Sequence, residues 1–249
     1  MCWLILGLVW CVPLAAQDAS CLHRTLPLDI IDSKRRLIRL NDPSYLKGKF
    51  SGKPVKILSV KPDDRPHRIV ILLDSSGSML GELNARKWQM ASFAAAHIAA
   101  ANLPNTSLAL LIFSEKINEQ IDFSQGASAI ARRLSEIEAD ANYAKKHIRG
   151  KTALLDTVSF ALRMLADPGF ADSIYVITDA GDNKSESRLR DIRDALVNRG
   201  VRLYVTLVTS SKRLAPEEQT GPSEFADLAA DTGGFVLGPL VCCPINKWQ

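Results

Sequence analysis

Five residues, Ile69 to Leu73, form an unbroken apolar run that ends abruptly on Asp74, and no other feature of the chain constrains its fold so tightly. A strand that is apolar at every position has no face to give to water, so it must be covered on both sides, as at the centre of a parallel sheet between two layers of helices. The sequence beyond Pro66 repeats that demand. A helical stretch from about Leu83 to Ala101 puts Met90, Phe93, Ala94, His97, Ile98 and Ala101 on one face, with His97 read as a packed core residue, and Asn102 and Pro104 end it. A strand is expected from Leu108 to Phe113 and an edge strand around Ile117 to Phe123. Amphipathic helices follow near Ser128 to Glu138 and Ala153 to Ala166, the second stopped by Pro168-Gly169. Ser173 to Thr178 is another apolar strand ending on an acid, Asp179, and a helix from about Arg188 to Arg199 closes at Gly200 in a left-handed cap. Val201 to Val208 reads as a strand, Ser223 as the cap of a short helix carrying Phe225, Leu228 and Ala229, and Phe235 to Leu237 as a last strand.

Strands alternating with helices predict an α/β fold, a doubly wound and mostly parallel sheet with one antiparallel edge strand, because parallel neighbours need crossovers and helices usually supply them. Ligands of such sheets gather at the carboxyl ends of the strands where strand order reverses, which directs attention to the loops after the first and fourth strands.

The flanking segments differ in character. Met1 to Ala16 is apolar with no charged residue and is followed by Asp18, which reads as a signal peptide over 1–17 and shorter than the roughly 20 residues a bilayer span needs. Export makes the chain secreted or periplasmic, with no membrane span in its mature form. Residues 18–66 alternate at period two through Leu26, Leu28 and Ile30, then Leu37 to Leu40, then Val55, Ile57 and Val60, with turns at Asp32, Asn41-Asp42-Pro43 and Ser51-Gly52-Lys53-Pro54. This β-rich lead-in is too small to bury a core and is expected to pack on the domain over 67–240, leaving a tail over 241–249. Loss of Cys2 and Cys11 with the signal leaves Cys21, Cys242 and Cys243, an odd number, so one terminal bridge is possible and one thiol stays over. A net charge of +4 among 249 residues lacks the dense basicity of a nucleic-acid module.

The first loop carries the chemistry. Asp74-Ser75-Ser76-Gly77-Ser78-Met79 sets a carboxylate and two hydroxyls, Asp74, Ser76 and Ser78, at alternate positions of a tight turn while Ser75 and Gly77 carry the bend. All three are hard oxygen donors suited to Mg²⁺, with Mn²⁺ or Ca²⁺ as other candidates. Thr152 after Gly150 and Asp179 at the end of its strand are expected beside this loop. Each alone could be an ordinary cap or turn residue.

Asp74-x-Ser76-x-Ser78, then Thr152, then Asp179 resembles the metal ion-dependent adhesion site of von Willebrand factor type A domains, a resemblance that covers about Arg68 to Gly238. Thr178-Asp179 and Thr232-Gly233-Gly234 are similar to family patterns as well, and the lead-in with Asp32, Phe50 and Gly52 in its turns is similar to the segment that precedes the domain in secreted proteins abundant in Acidobacteria. The chain departs from the family at Lys151 and Ala180, where glycine is usual. The resemblance implies that the Ser76, Ser78 and Thr152 hydroxyls bind the cation, that Asp74 and Asp179 act directly or through waters, and that one coordination position stays open. The partner so implied is a protein that supplies Asp or Glu as the sixth ligand.

Lys145, Lys146, Arg149, Lys151, Lys184 and Arg188 fall on the same predicted face, either as a rim that steers an acidic partner or as plainly solvated charge. Two other functions fit the residues less completely. A structural or assembly module would use the cation only to stiffen loops. A metal-dependent hydrolase would share a strand ending in Asp, but Ser76 replaces the second acid of the aspartyl-phosphate enzymes, and neither a Gly-x-Ser-x-Gly elbow nor a phosphate loop is present.

Overall fold

A computed structural model of the chain describes residues 28, 30, 38–50, 52–62, 65–80, 86–101, 103–167, 169, 172–210 and 216–242. Two units divide between Ile38 and Arg39. In the first, the Ile38 N–H donates to the Ile30 carbonyl at 2.7 Å. The signal segment and the pairing of Cys21, Cys242 and Cys243 lie outside the described residues and side chains.

The first strands of the second unit, after a 3-10 turn at Pro43–Tyr45, form an antiparallel hairpin, β1 (Gly48–Phe50) and β2 (Lys53–Val55), turned at Gly52 with φ +77°. Here the β-rich expectation holds only in part, since Arg39, Leu40 and residues 56–60 are not in strands. Among the described residues from 39 to 62 none is buried, and Phe50 is 76% exposed. Two three-residue strands present too few apolar side chains on one face to bury anything.

Six further strands build the sheet: β3 (His67–Asp74), β4 (Thr106–Phe113), β5 (Ile117–Ile121), β6 (Ser173–Thr178), β7 (Arg202–Ser210) and β8 (Val236–Cys242). Their order is β5-β4-β3-β6-β7-β8, every pair parallel except β4 with the edge strand β5. β3 lies at the centre, and its apolar run divides by strand periodicity. Val70 and Leu72 enter a core with α4 (Leu154–Met164), α5 (Leu189–Arg199) and α6 (Pro216–Asp231), whereas Ile71 and Leu73 enter a core with α1 (Arg86–Ala100), α2 (Gly126–Ala139) and the short α3 (Tyr143–His147). Both faces are thus covered, which is why none of these four side chains has any exposed surface. From β3 the chain goes to β4 on one side and later to β6 on the other, so strand order reverses at the β3–β6 border. Asp74 and Asp179 both sit at the carboxyl edge of that border.

Two helix readings and one strand end need correction. The buried stripe of α1 is Trp88, Ala91, Ala95 and Ala99, with Phe93 64% exposed and His97 on the outside against it, ring centroids 5.1 Å apart. Met90, Ala94 and Ile98 flank that stripe, half-buried against the same core, so of the expected face Phe93, His97 and Ala101 are the residues that turn outward; alanines at the centre let the helix axis lie close to the sheet. Helix α6 starts at Pro216, not at Ser223, whose hydroxyl donates inside the helix to the Thr220 carbonyl at 2.7 Å. Strand β8 reaches Cys242, five residues beyond its expected end and into the assigned tail.

Candidate metal-binding site

Asp74 is the last residue of β3 and has no exposed surface. Its Oδ1 accepts from the Ser76 N–H at 2.8 Å, which closes the turn, and its Oδ2 accepts from the Thr178 hydroxyl at 2.6 Å, which fixes the carboxylate against the end of β6. Ser75 turns the other way: its N–H and its hydroxyl both donate to the Phe113 carbonyl, at 2.7 and 2.8 Å, anchoring the loop to β4. That leaves Ser76, 1% exposed, and half-buried Ser78 on one side of the turn with their hydroxyl oxygens 3.1 Å apart. Of the expected alternation the turn shows Ser76 and Ser78 on one side and Ser75 turned away.

The loop containing Thr152 is held against this turn by its backbone. Gly77 donates to the Gly150 carbonyl at 2.9 Å and Arg149 donates to the Ser75 carbonyl at 3.1 Å. A Cβ on Gly77 would stand 3.3 Å from the Gly150 oxygen, so glycine here permits the close approach of two loops. Thr152, 3% exposed, is tied in turn to the loop after β6: its N–H donates to Asn183 Oδ1 at 2.9 Å and its carbonyl accepts from the Asn183 N–H at 3.1 Å. Asp179, 2% exposed, follows β6 directly. The three segments carrying the five expected site residues therefore meet at one corner of the sheet.

Two buried carboxylates at that corner repel each other. Burial first, and then the charge of Asp179, push the Asp74 carboxyl up to about 7 against the opposing pull of its hydrogen bonds with Thr178 and Ser76. Positive charge reaches the corner from a side chain that the sequence did not single out. Lys87 of α1, 4% exposed, places its ammonium 2.9 Å from Asp179 Oδ2. Its position was readable only with the right helix face in hand, because Lys87 stands four residues before Ala91 on the alanine stripe. Thr178, read as a strand end, is the other missed participant. Nothing in the sequence singles out Asp182 or Asn183.

The donor set suits a small hard cation. Among the described residues no three His, Cys, Asp or Glu side chains converge, so a cation here would rest on hydroxyls with carboxylates behind them. Adjacent ligands of an octahedral Mg²⁺ with bonds of about 2.1 Å stand about 3 Å apart. The Ser76 and Ser78 oxygens, at 3.1 Å, have that spacing. Both Asp74 oxygens already accept one hydrogen bond each, and each keeps a lone pair for a metal-bound water.

Residues 69–182 match the family model of the von Willebrand factor type A domain. This segment of the chain is a von Willebrand factor type A domain. Solved structures share its fold: von Willebrand factor type A from Catenulispora acidiphila at 18% identity and TM-score 0.51, over 72% of this chain and 39% of that one; the SpRpn10 VWA domain at 14% and 0.50, over 72% and 90%; and the human COPII-coat protein Sec24c at 10% and 0.51, over 73% and 30%. No curated protein sequence matches the chain. Within the type A domain the two departures from glycine have structural consequences. Ala180 adopts φ +64°, a left-handed conformation that costs a residue with a Cβ roughly 1–2 kcal/mol. Lys151, exposed, donates its N–H to Glu115 Oε1 at 3.0 Å, and the left-handed residue of this loop is Gly150, at φ +88°.

Proposed function

We propose that this type A domain is a protein-binding module that captures a partner carboxylate through a divalent cation. The observation that carries the reading is the corner itself: two hydroxyls at octahedral spacing, backed by two buried acids. Ser76, Ser78 and Thr152 would hold Mg²⁺, or Mn²⁺ or Ca²⁺, while Asp74 and Asp179 act directly or through waters. Neutral hydroxyl ligands leave such an ion electron-poor, and an Asp or Glu side chain of the partner is then a favoured last ligand. Export through the Met1 to Ala16 segment would put the encounter in the periplasm or the medium. No described helix is long and apolar enough to cross a membrane.

A hydrolase that used Asp74 as nucleophile would have to expose it, yet Asp74 is fully buried with both oxygens engaged. A purely structural cation would have loops to stiffen, but these loops are already joined by direct hydrogen bonds at 2.9–3.1 Å. These contacts favour ligand capture over loop stiffening as the role of a cation here. The test is a pull-down from the native envelope or medium with and without EDTA: an acidic partner retained only with divalent metal supports the reading, and retention unaffected by the chelator sinks it.

The surrounding cations add a kinetic expectation. Lys145, Lys146, Arg149, Lys151, Lys184 and Arg188 are all exposed. Association with the acidic partner is expected to slow by about tenfold or more between low and physiological salt, as for steered encounters. An association rate independent of salt would assign these side chains to solvation alone.

A further inference from the structure

We propose that the Lys87 ammonium is a resident positive charge of the site, one that weakens the hold on the divalent ion and leaves that ion with net positive charge toward an incoming anion. The inference rests on the cation reading above and concerns a residue outside its ligand set. Lysine is almost never this buried without a compensating partner. Lys87 is 4% exposed, and its partner oxygen belongs to Asp179, 1% exposed at its side chain. Burying such a pair costs desolvation that the attraction scarcely recovers, so a hydrophobic side chain of similar volume would serve packing as well. The ion pair is therefore better explained by what it does to charge at this corner.

Charges at the corner can be counted. Among the described residues, with both acids ionised, Asp74 and Asp179 contribute two negative charges and Lys87 one positive charge. Addition of a divalent ion then brings the cluster to +1, whereas with a neutral residue at position 87 it would come to zero. Lys87 has a second effect through its contact. One oxygen of Asp179 is taken by the ammonium at 2.9 Å and the other faces the Gly181 N–H at 3.4 Å, so the carboxylate is held in place and its charge is partly spent before any metal arrives. A metal site built this way trades affinity for the ion against affinity for the anion that the ion recruits.

The test titrates Mn²⁺ alone into the metal-free full chain by calorimetry for wild type, Lys87→Met and Lys87→Arg. Removing one unit charge a few ångströms from the ion, in surroundings with an effective dielectric near ~20, is expected to tighten Mn²⁺ binding about tenfold or more in Lys87→Met. Lys87→Arg keeps the charge and is expected to stay within about threefold of wild type. If methionine prevents folding, Lys87→Gln carries the same expectation. Wild-type binding of Mn²⁺ with no gain, or a loss, in the neutral variants overturns this proposal and leaves the cation reading standing. Equal tightening in Lys87→Arg overturns it too, because shape and not charge would then be the cause. Absence of Mn²⁺ binding in wild type and variants alike overturns both.

Discussion

Replacing Asp74 by asparagine is expected to abolish the thermal stabilisation that Mg²⁺ gives the wild-type chain. A ligand present at 100 times its dissociation constant stabilises the folded state by about 2.7 kcal/mol. For a domain of this size that corresponds to a rise in Tm of roughly 5–10 °C. Asparagine preserves the local contacts while removing the charge. Its oxygen can still accept from the Ser76 N–H, and the Thr178 hydroxyl, which now donates to Asp74 Oδ2, can turn to accept from the amide. Without metal the variant should melt no lower than wild type, because the carboxylate it loses is buried and pressed by Asp179. Melting curves at neutral pH with EDTA and with excess Mg²⁺ separate these two statements. An unchanged magnesium shift in the variant would remove Asp74 from the site, and a large loss of stability in EDTA would show that the acid serves the fold first.

The second large effect is expected from one methyl group on helix α6. A Cβ at Gly221 would come within 1.8 Å of the Ala180 carbonyl oxygen and 2.8 Å of its carbon, and neither backbone atom can swing aside as a side chain could. Gly221→Ala should cost about 3 kcal/mol or more, at the upper end of overpacking. It should also weaken metal binding, because relief of the clash moves Ala180 and with it the neighbouring Asp179. Gly234→Ala provides the contrast. Its Cβ would meet the Leu203 carbonyl at 1.9 Å, near the start of β7 and thus at the opposite end of the sheet from the corner. It should destabilise comparably yet leave the affinity of the folded protein for Mn²⁺ unchanged. Calorimetric melting together with Mn²⁺ titration at low temperature checks both variants, and equal metal affinity in the two would break the link between α6 and the site.

The parts of the fold legible in the sequence are those where one physical demand dominates. Ile69 to Leu73 and Ser173 to Thr178 had to be doubly covered strands, and both stand in the sheet with the acids at their ends side by side. Asp74, Ser76 and Ser78 stand in one turn, as their spacing suggests, and the Ser76 N–H closes it on Asp74 Oδ1. Elsewhere, neighbours decided. The core face of α1 is chosen by how closely a helix must approach the sheet, which puts Ala91, Ala95 and Ala99 at its centre, leaves Met90 and Ile98 half-buried at its edge and turns Phe93 outward. Gly221 and Pro222 look like helix breakers, yet α6 runs through both, since the glycine is required by contact with the Ala180 backbone. Tyr143–His147 is too short a helix to show periodicity. Lys87 was invisible for a further reason: a lone lysine in an amphipathic segment looks like surface charge until the Asp179 carboxylate is found facing it.

The loop after β6 also caps a helix that precedes it in the chain. Asp182 Oδ2 accepts from the Leu155 N–H at 2.9 Å and the Ser185 hydroxyl from the Asp156 N–H at 3.1 Å, while the Asp156 carboxylate accepts from the Glu186 and Ser187 N–H groups at 3.0 and 2.9 Å. Peeling that loop away would strip the first turn of α4 of partners for its otherwise orphaned amides. The surface to which the proposed function assigns the partner is accordingly preorganised on this side. A partner docking there forfeits little conformational entropy from the receptor, and complexes should form as between rigid bodies with most of the ordering cost borne by the incoming chain.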